Sequence, residues 1–485
     1  MTARIDNGTV RTLLRERPPD DLATRRRVRV VCRRRNARTG ARASDQSATC
    51  HLTRQAAQLQ RELVGYTLRV VGTTKPSRRS LTPAEDELPL IISVDDHVME
   101  PRDLWQEELP ASMKAKGPRV VQERVKLEFV GGHYGFQRNH PDGEMCDVWL
   151  FEDTAVPTGL LHGPAGVPRE EQRNVAARYE DLRPGTWDRD ARLADMTANH
   201  VEAALNFPNI FPRFCGQVFL ERDDKVLALA CLQIYNDWMI DDWSAGPAAG
   251  RLIPLTLVPM WDPDLAAAEV GRCAEKGSYA ITFSESPAKL GCASMYSGEW
   301  DVLWAACEET ETTVSMHIGS SSSMPTTSPD APLATSMSMY AQNAEGSLAD
   351  WVFSGTLARF PDIKIAYAES QVGWMPFMLE RLDAVYREGR GGVGGDGLLP
   401  SEVVRGRVFG CIFDDLFGLK VRDEVGVEQI LLETDYPHSD GTFPHSRKVA
   451  HDLFTAAGMN ARECSLVLRG NAIRAYGLER FGITA

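Results

Sequence analysis

Six residues of this 485-residue chain have the types and placement to do chemistry together: Asp95, His97, His317, Glu369, Asp435 and His438. Asp95 and His97 stand two apart, the spacing that points two side chains the same way from one strand. His317, Glu369 and Asp435 each close a separate apolar run. Two imidazoles and two carboxylates, from Asp95, His97, His317 and Asp435, form a mixed nitrogen and oxygen set. Such a set suits Zn²⁺, or Mn²⁺ and Fe²⁺ where carboxylates dominate. Glu369 is open to three roles: a further ligand, an acid or base, or the acceptor that orients a ligand histidine. His438, three positions after Asp435, is within reach of a substrate at the same point.

Taken singly, each residue has a structural explanation. An Asp at a strand end commonly caps the following helix. A His shortly before Gly319 can line a turn, and Asp435 in TDYP can begin one. Their joint placement, ligand types at the same end of several strands, argues for a site. The histidines at 51, 133, 140, 162, 200, 445 and 451 read as loop or surface residues.

What must position these groups is a series of short apolar runs at 89–97, 201–209, 252–260, 278–286, 312–320, 362–370, 407–415 and 428–436. Near-continuous apolar character is expected of parallel strands covered on both faces. Amphipathic helices alternate with them, for example 264–277, 299–310 and 372–388. Eight strands alternating with helices predict a (β/α)8 TIM-like barrel, whose strand ends converge on one face. An open nucleotide-binding sheet is disfavoured, since neither a GxGxxG nor a GxxxxGK[ST] motif is present. Residues 98–200 are too long for a simple connection and are expected to form an insertion or cap after strand one. The Ser-, Thr- and Pro-rich stretch 321–339 is expected to be a loop beside the site.

Composition narrows the partners. With 43% hydrophobic and 25% charged residues the chain can bury a large core. Its net charge of -13 hides a split: residues 1–80 carry 19 Lys and Arg against 6 Asp and Glu, leaving 35 and 61 for the rest. The segment 1–85 is therefore expected to be a basic, disordered extension. The acidic body, 89–480, would repel nucleic acid, so a small-molecule substrate is expected and a polynucleotide is not. No run of about 18 apolar residues predicts a spanning helix, and no secretion signal is recognised. The ten cysteines form no CxxC pair, which suits reduced thiols in a cytoplasmic protein.

Several segments resemble the amidohydrolase superfamily, in the branch that includes aminocarboxymuconate-semialdehyde decarboxylase and γ-resorcylate decarboxylase. They are ISVDDHVMEPRDLW (92–105), NFPNIFPRFCGQ (206–217), SGEWDVLWAACEE (297–309), MHIGSSS (316–322), GWMPFMLERLD (373–383), ETDYPHSDG (433–441) and GNAIRAYGL (470–478). The resemblance runs from about 89 to 480. It implies a barrel with one divalent metal, usually zinc with manganese as the alternative. Asp95 and His97 match the strand-one ligand pair, His317 the strand-five ligand and Asp435 the strand-eight carboxylate. The well-studied decarboxylases carry a His after strand six, where this chain has Glu369. A homodimer is the assembly the resemblance suggests.

These expectations combine into a metal-dependent hydrolysis or non-oxidative decarboxylation of a small organic acid or carbonyl compound, with Asp435, Glu369 and His438 moving protons. The competing expectation is a non-catalytic metal-binding scaffold in which Glu369 marks lost chemistry.

Overall fold

The computed structural model describes residues 2–6, 9–13, 82–130, 133–394 and 397–484. The chain divides into two units, 1–77 and 78–485. In the first, β1 (Thr2–Asp6) pairs antiparallel with β2 (Thr9–Leu13), Thr2 opposite Leu13. The expected disorder of the basic extension falls, for residues 14–81, outside the described residues. In the second unit, Thr82 already donates its hydroxyl to the Met459 carbonyl at 2.6 Å.

β3 (Ile91–Val98) is buried along its whole length. Its first residues are apolar and its last carry Asp95, Asp96 and His97, so the strand runs from core into site. The insertion follows as a four-stranded antiparallel sheet of β4 (Arg119–Val130), β5 (His133–Arg138), β6 (Glu144–Phe151) and β7 (Thr154–Pro157), in the order β5-β4-β6-β7. In β4, Gln122, Arg124 and Lys126 are exposed while Val125 is buried, the period of two that lets one face pack and the other meet water. Trp105, Trp149 and Phe211 pack beneath this sheet with ring centroids 5.0–5.1 Å apart. The insertion ends in helix Arg189–Ala198, capped by the Asp188 carboxylate on the Ala191 N–H.

The remaining strands are β8 (Val201–Pro208), β9 (Leu252–Ile253), β10 (Thr256–Leu257), β11 (Ala280–Phe283), β12 (Thr313–His317), β13 (Ile365–Ala368), β14 (Val408–Ile412) and β15 (Ile430–Leu432). They form two parallel sheets, β3-β8-β9 and β10 through β15 in order. All eight apolar runs contain strand. The run 252–260 is divided because Pro254 lacks an N–H and cannot continue the ladder. At the other sheet edges, the Asp435 N–H donates to the Asp95 carbonyl at 3.0 Å and the His97 N–H to the Tyr436 carbonyl at 2.6 Å.

Helices Lys225–Trp238, Pro263–Glu275, Asp301–Glu309, Ala341–Phe353 and Met375–Arg387 lie between strands of these sheets. Asp224 and Asp262 cap the first two through backbone N–H groups of the first turn, the N-cap preference that stops each helix from fraying into the preceding loop. Pro263 opens the second, at a position where its missing N–H costs nothing. Among the described residues no helix is long and apolar enough to cross a membrane. The eight described cysteines are unbridged.

Candidate metal centre

Parallel strands put their carboxyl ends on one face, and the six residues singled out in the sequence meet there. His97 Nε2 lies 3.4 Å from Asp95 Oδ1 and 3.5 Å from Asp435 Oδ1. His317 Nε2 lies 3.5 Å from Asp95 Oδ2 and 3.8 Å from Glu369 Oε1. Two overlapping sets have ligand atoms within 4.8 Å of one another: Asp95, His97, His317 and Glu369, and His97, Glu369, Asp435 and His438. Glu369 is common to both, closer to the ligand cluster than its uncertain standing in the sequence suggested.

Backbone geometry brings two of these carboxylates inward. Glu369 and Asp435 directly follow or closely follow their strands and adopt left-handed conformations, φ 55° and 49°. That region is costly for residues with a Cβ and persists only where surroundings hold it. Here the Glu369 N–H donates to Glu433 Oε2 at 3.0 Å and the Asp435 N–H to the Asp95 carbonyl.

The histidine tautomers follow from their partners. His317 Nδ1 lies 2.6 Å from the Ile318 carbonyl, which can only accept, so Nδ1 carries the proton and Nε2 presents its lone pair to the cluster. Phe214 stacks on the same ring at 3.9 Å with a 10° interplanar angle. Asn209 donates its amide to the His162 carbonyl at 2.8 Å, leaving Oδ1 to accept from His438 Nε2–H at 3.1 Å. His438 Nδ1 then faces Asp435 Oδ1 at 2.9 Å, and one proton lies between them.

Burial dominates the electrostatics. It raises the Asp95 carboxyl well above the usual carboxylate range, reinforced by Glu433, Glu369 and Asp435. Asp435 and Glu433 are raised well above theirs in the same way, and Glu369 is pushed up to about 7. Burial lowers His97 well below its ordinary value, assisted by His438 and His317, and takes His317 down to about 3. Both imidazoles are therefore neutral, the form that binds metal. Both Asp95 oxygens, His97 Nε2, His317 Nε2 and Asp435 Oδ2 are buried without a hydrogen-bond partner. Buried polar atoms are ordinarily paired, so five converging orphans describe a cradle for a cation. The donor set fits a divalent metal ion, which Asp95, His97, His317 and Asp435 would hold with Glu369 beside them.

Around this cluster are residues that the sequence did not single out. Asp96 Oδ1 accepts from Ser93 Oγ, Thr434 Oγ1 and the Tyr436 N–H at 2.9, 2.6 and 3.2 Å. Arg192, fully buried, donates to the carbonyls of Gly185 and His97 and to Asn206 Oδ1. Glu433 stands two residues before Asp435, close enough in sequence to have flagged it. Nothing in the sequence pattern pairs Arg192 with β3, because that contact is tertiary. A cleft of about 190 Å³ reaches His438, walled by Pro164, Val167 and Arg169 of the insertion and by Tyr436 and Phe443.

Residues 97–478 match the family model described as Amidohydrolase. No curated protein matches the sequence. Among solved structures, the chain is similar to an amidohydrolase from Mycobacterium avium subsp. paratuberculosis, with 20% identity over 80% of this chain and 99% of that one and a TM-score of 0.56. It is also similar to 5-carboxyvanillate decarboxylase from Novosphingobium aromaticivorans, solved with manganese, at 14% identity over 82% and 99% of the two chains and a TM-score of 0.53. A dihydroxybenzoic acid decarboxylase from Polaromonas sp., solved with manganese and 2-nitroresorcinol, gives 14% identity over 81% and 98% and a TM-score of 0.51. At these identities the likeness is one of fold.

Proposed function

The chain belongs to this amidohydrolase family, and on that premise we propose that it is a metal-dependent enzyme that removes carbon dioxide non-oxidatively from a small organic acid. The observation that carries the reading is the set of unpartnered ligand atoms on Asp95, His97, His317 and Asp435 beside the hydrogen-bonded Asp435–His438 pair. Two similar structures are of decarboxylases that hold manganese, which supports both the lyase reading and manganese alongside zinc. A closed eight-stranded barrel is part of the proposal. Its support is the pair of backbone hydrogen bonds joining Asp95 and His97 to Asp435 and Tyr436, together with the contiguity of β9 and β10 around Pro254.

When bound, the metal supplies Lewis acidity toward a substrate oxygen, or activates water in a hydrolytic reaction. The protein's residues do the rest. The cleft admits the acid past Val167, Arg169 and Phe443 and presents it to His438. The carbon that loses its carboxylate takes up one proton as the carbon–carbon pair collapses onto it, and the products are the protonated compound and carbon dioxide. Glu369, or the proton shared by His438 and Asp435, supplies that proton. Glu369 in the place of a histidine keeps hydrolysis as the second reading, since a carboxylate and the Asp435–His438 pair can equally take a proton from water.

The test is a substrate screen with metal-loaded protein, measuring carbon dioxide release from phenolic and muconate-type acids against hydrolysis of esters, lactones and amides. Carbon dioxide release with no hydrolysis supports the lyase. Hydrolysis alone overturns it in favour of the second reading, and stoichiometric metal with no turnover on any member favours a scaffold.

A further inference from the structure

Glu285 lies two residues beyond β11, next to the strand that ends in His317. It is 3% exposed, and among the described residues no ion pair is formed by its carboxylate. Instead it gathers five hydrogen-bond donors from the chain that follows His317 and from one helix. Oε1 accepts from the Gly319 N–H at 3.1 Å, Ser321 Oγ at 2.8 Å and Asn343 Nδ2 at 3.0 Å. Oε2 accepts from the Ser321 N–H at 3.0 Å and from the Ser320 hydroxyl. Ser320 Oγ in turn accepts the Glu285 N–H at 3.0 Å, closing a ring between the two segments.

This loop is also what fixes the segment over the His317 ring. The Ser320 carbonyl accepts from Gln217 Nε2 at 2.9 Å and Cys215 Sγ at 3.4 Å, adjoining Phe214, whose ring stacks on His317. His317 Nδ1–H donates to Ile318, the residue between the ligand and the clamped glycine. The imidazole is thus held along its edge by a carbonyl and across its face by an aromatic ring, and both supports are tied to Ser320. Gly319 turns the chain at φ 87°, a conformation that residues with a Cβ rarely adopt.

We propose that Glu285 is a positioning residue for the metal centre, acting through the 318–321 loop to aim His317 Nε2 at the ion. This rests on the metal-dependent reading given above. A ligand histidine's second nitrogen is commonly held by a carboxylate or carbonyl, and loss of such support typically costs about 10–100-fold in metal affinity. In this chain the support has two stages, the carbonyl of Ile318 and the carboxylate that immobilises the loop bearing it. A glutamine cannot replace Glu285, because one of its two terminal atoms is a donor and would face the Ser321 N–H or the Gly319 N–H.

The experiment is Co²⁺ titration of the full, chelator-stripped chain, read by the visible absorption bands of bound Co²⁺ and by competition with a chelator. Glu285→Gln should weaken Co²⁺ by about 10–100-fold and change the band positions. Ser321→Ala, which removes one donor, should move both readouts the same way by less. Leu303→Ala, in the core helix Asp301–Glu309, should lower thermal stability while leaving affinity and spectrum as in the wild type. An unchanged spectrum and affinity in folded Glu285→Gln would overturn the proposal, as would an equal loss in Leu303→Ala, which would make the effect one of global stability. Should Glu285→Gln not fold, retention of wild-type binding by Ser321→Ala overturns it. Failure of the wild type to take up Co²⁺ would remove the metal reading itself.

Discussion

Glu369 and Glu433 are joined by a single hydrogen bond, the backbone N–H of the first to Oε2 of the second at 3.0 Å. Through it a residue next to the ligand cluster is kept in a left-handed conformation by a carboxyl group from the adjacent-but-one strand. Burial raises the Glu433 carboxyl well above its ordinary value, so without metal it is the protonated acid. Glutamine mimics that state and keeps an acceptor for the Glu369 N–H. Glu433→Gln is therefore expected to match the wild type in metal-free stability. Glu433→Leu leaves the half-buried Glu369 N–H without this partner and should cost about 1 kcal/mol. Urea unfolding of the two variants separates them.

Removal of a ligand should abolish metal binding without unfolding the protein. Asp95→Asn keeps the shape but loses the charge, and His317→Ala removes the lone pair that faces Asp95 and Glu369. Each is expected to contain well under one equivalent of divalent metal after purification, by elemental analysis. The metal-free stability of Asp95→Asn should equal or exceed that of the wild type, because the buried carboxyl that resists ionisation has gone. Stoichiometric metal in both variants would remove these residues from the site.

The pH dependence of stability should differ in sign between free and loaded protein. In the metal-free state Asp95, Glu433, Asp435 and Glu369 all have raised carboxyl pKa values, the last at about 7. A raised folded-state pKa means that the folded form binds protons more tightly than the unfolded one. The stability this contributes is complete below the unfolded value of about 4 and is lost as pH rises through the folded value. Burial lowers His97, His317 and His438, which cost stability as pH falls below about 6.5 and the unfolded imidazoles take up protons. Above about pH 6.5 the carboxyls therefore act alone, and metal-free protein should melt at lower temperature at pH 8 than at about pH 6.5. Bound metal favours the ionised carboxylates, so the gain in melting temperature on adding metal should increase over the same interval. Differential scanning fluorimetry with and without chelator measures both.

The strands were legible because parallel strands buried on both faces write themselves as apolar runs, and their ends gave Asp95, His97, His317, Glu369 and Asp435 together. The division of the third run at Pro254 was legible in principle, since proline cannot donate to a ladder. The insertion sheet was less so: its alternation in β4 is half-buried rather than apolar, and the 98–200 segment showed mainly its Pro, Gly and Trp content. Asn209 ends the NFPN segment 206–209, yet its role depends on His162 and His438, 47 and 229 positions away. Glu285 carried no signal of its own, because a glutamate after a strand is ordinary until five donors are seen to surround it. Pairings of that kind are set by packing, which a period in the sequence does not encode.

Arg192 supplies the strongest single test of how the insertion supports the site. Its guanidinium is fully buried, donates to the Gly185 and His97 carbonyls and to Asn206, lies 4.3 Å from the Tyr436 ring centroid and 4.0 Å from Asp96 Oδ2. It is the charge that faces Asp96, whose other oxygen organises Ser93, Thr434 and Tyr436. Arg192→Met preserves apolar volume but leaves Asp96 buried without its cation, an exposure to uncompensated charge that typically costs about 3–5 kcal/mol. Arg192→Lys should recover little, since an ammonium cannot present a planar fork to three acceptors. Adding Asp96→Asn to Arg192→Met removes the stranded charge and keeps an acceptor oxygen for the three donors, so the double variant should be more stable than the single one. Urea unfolding of the full cycle measures the coupling. If Arg192→Met and the double variant are equally destabilised, Arg192 acts through its carbonyl contacts to β3 and the insertion rather than through Asp96.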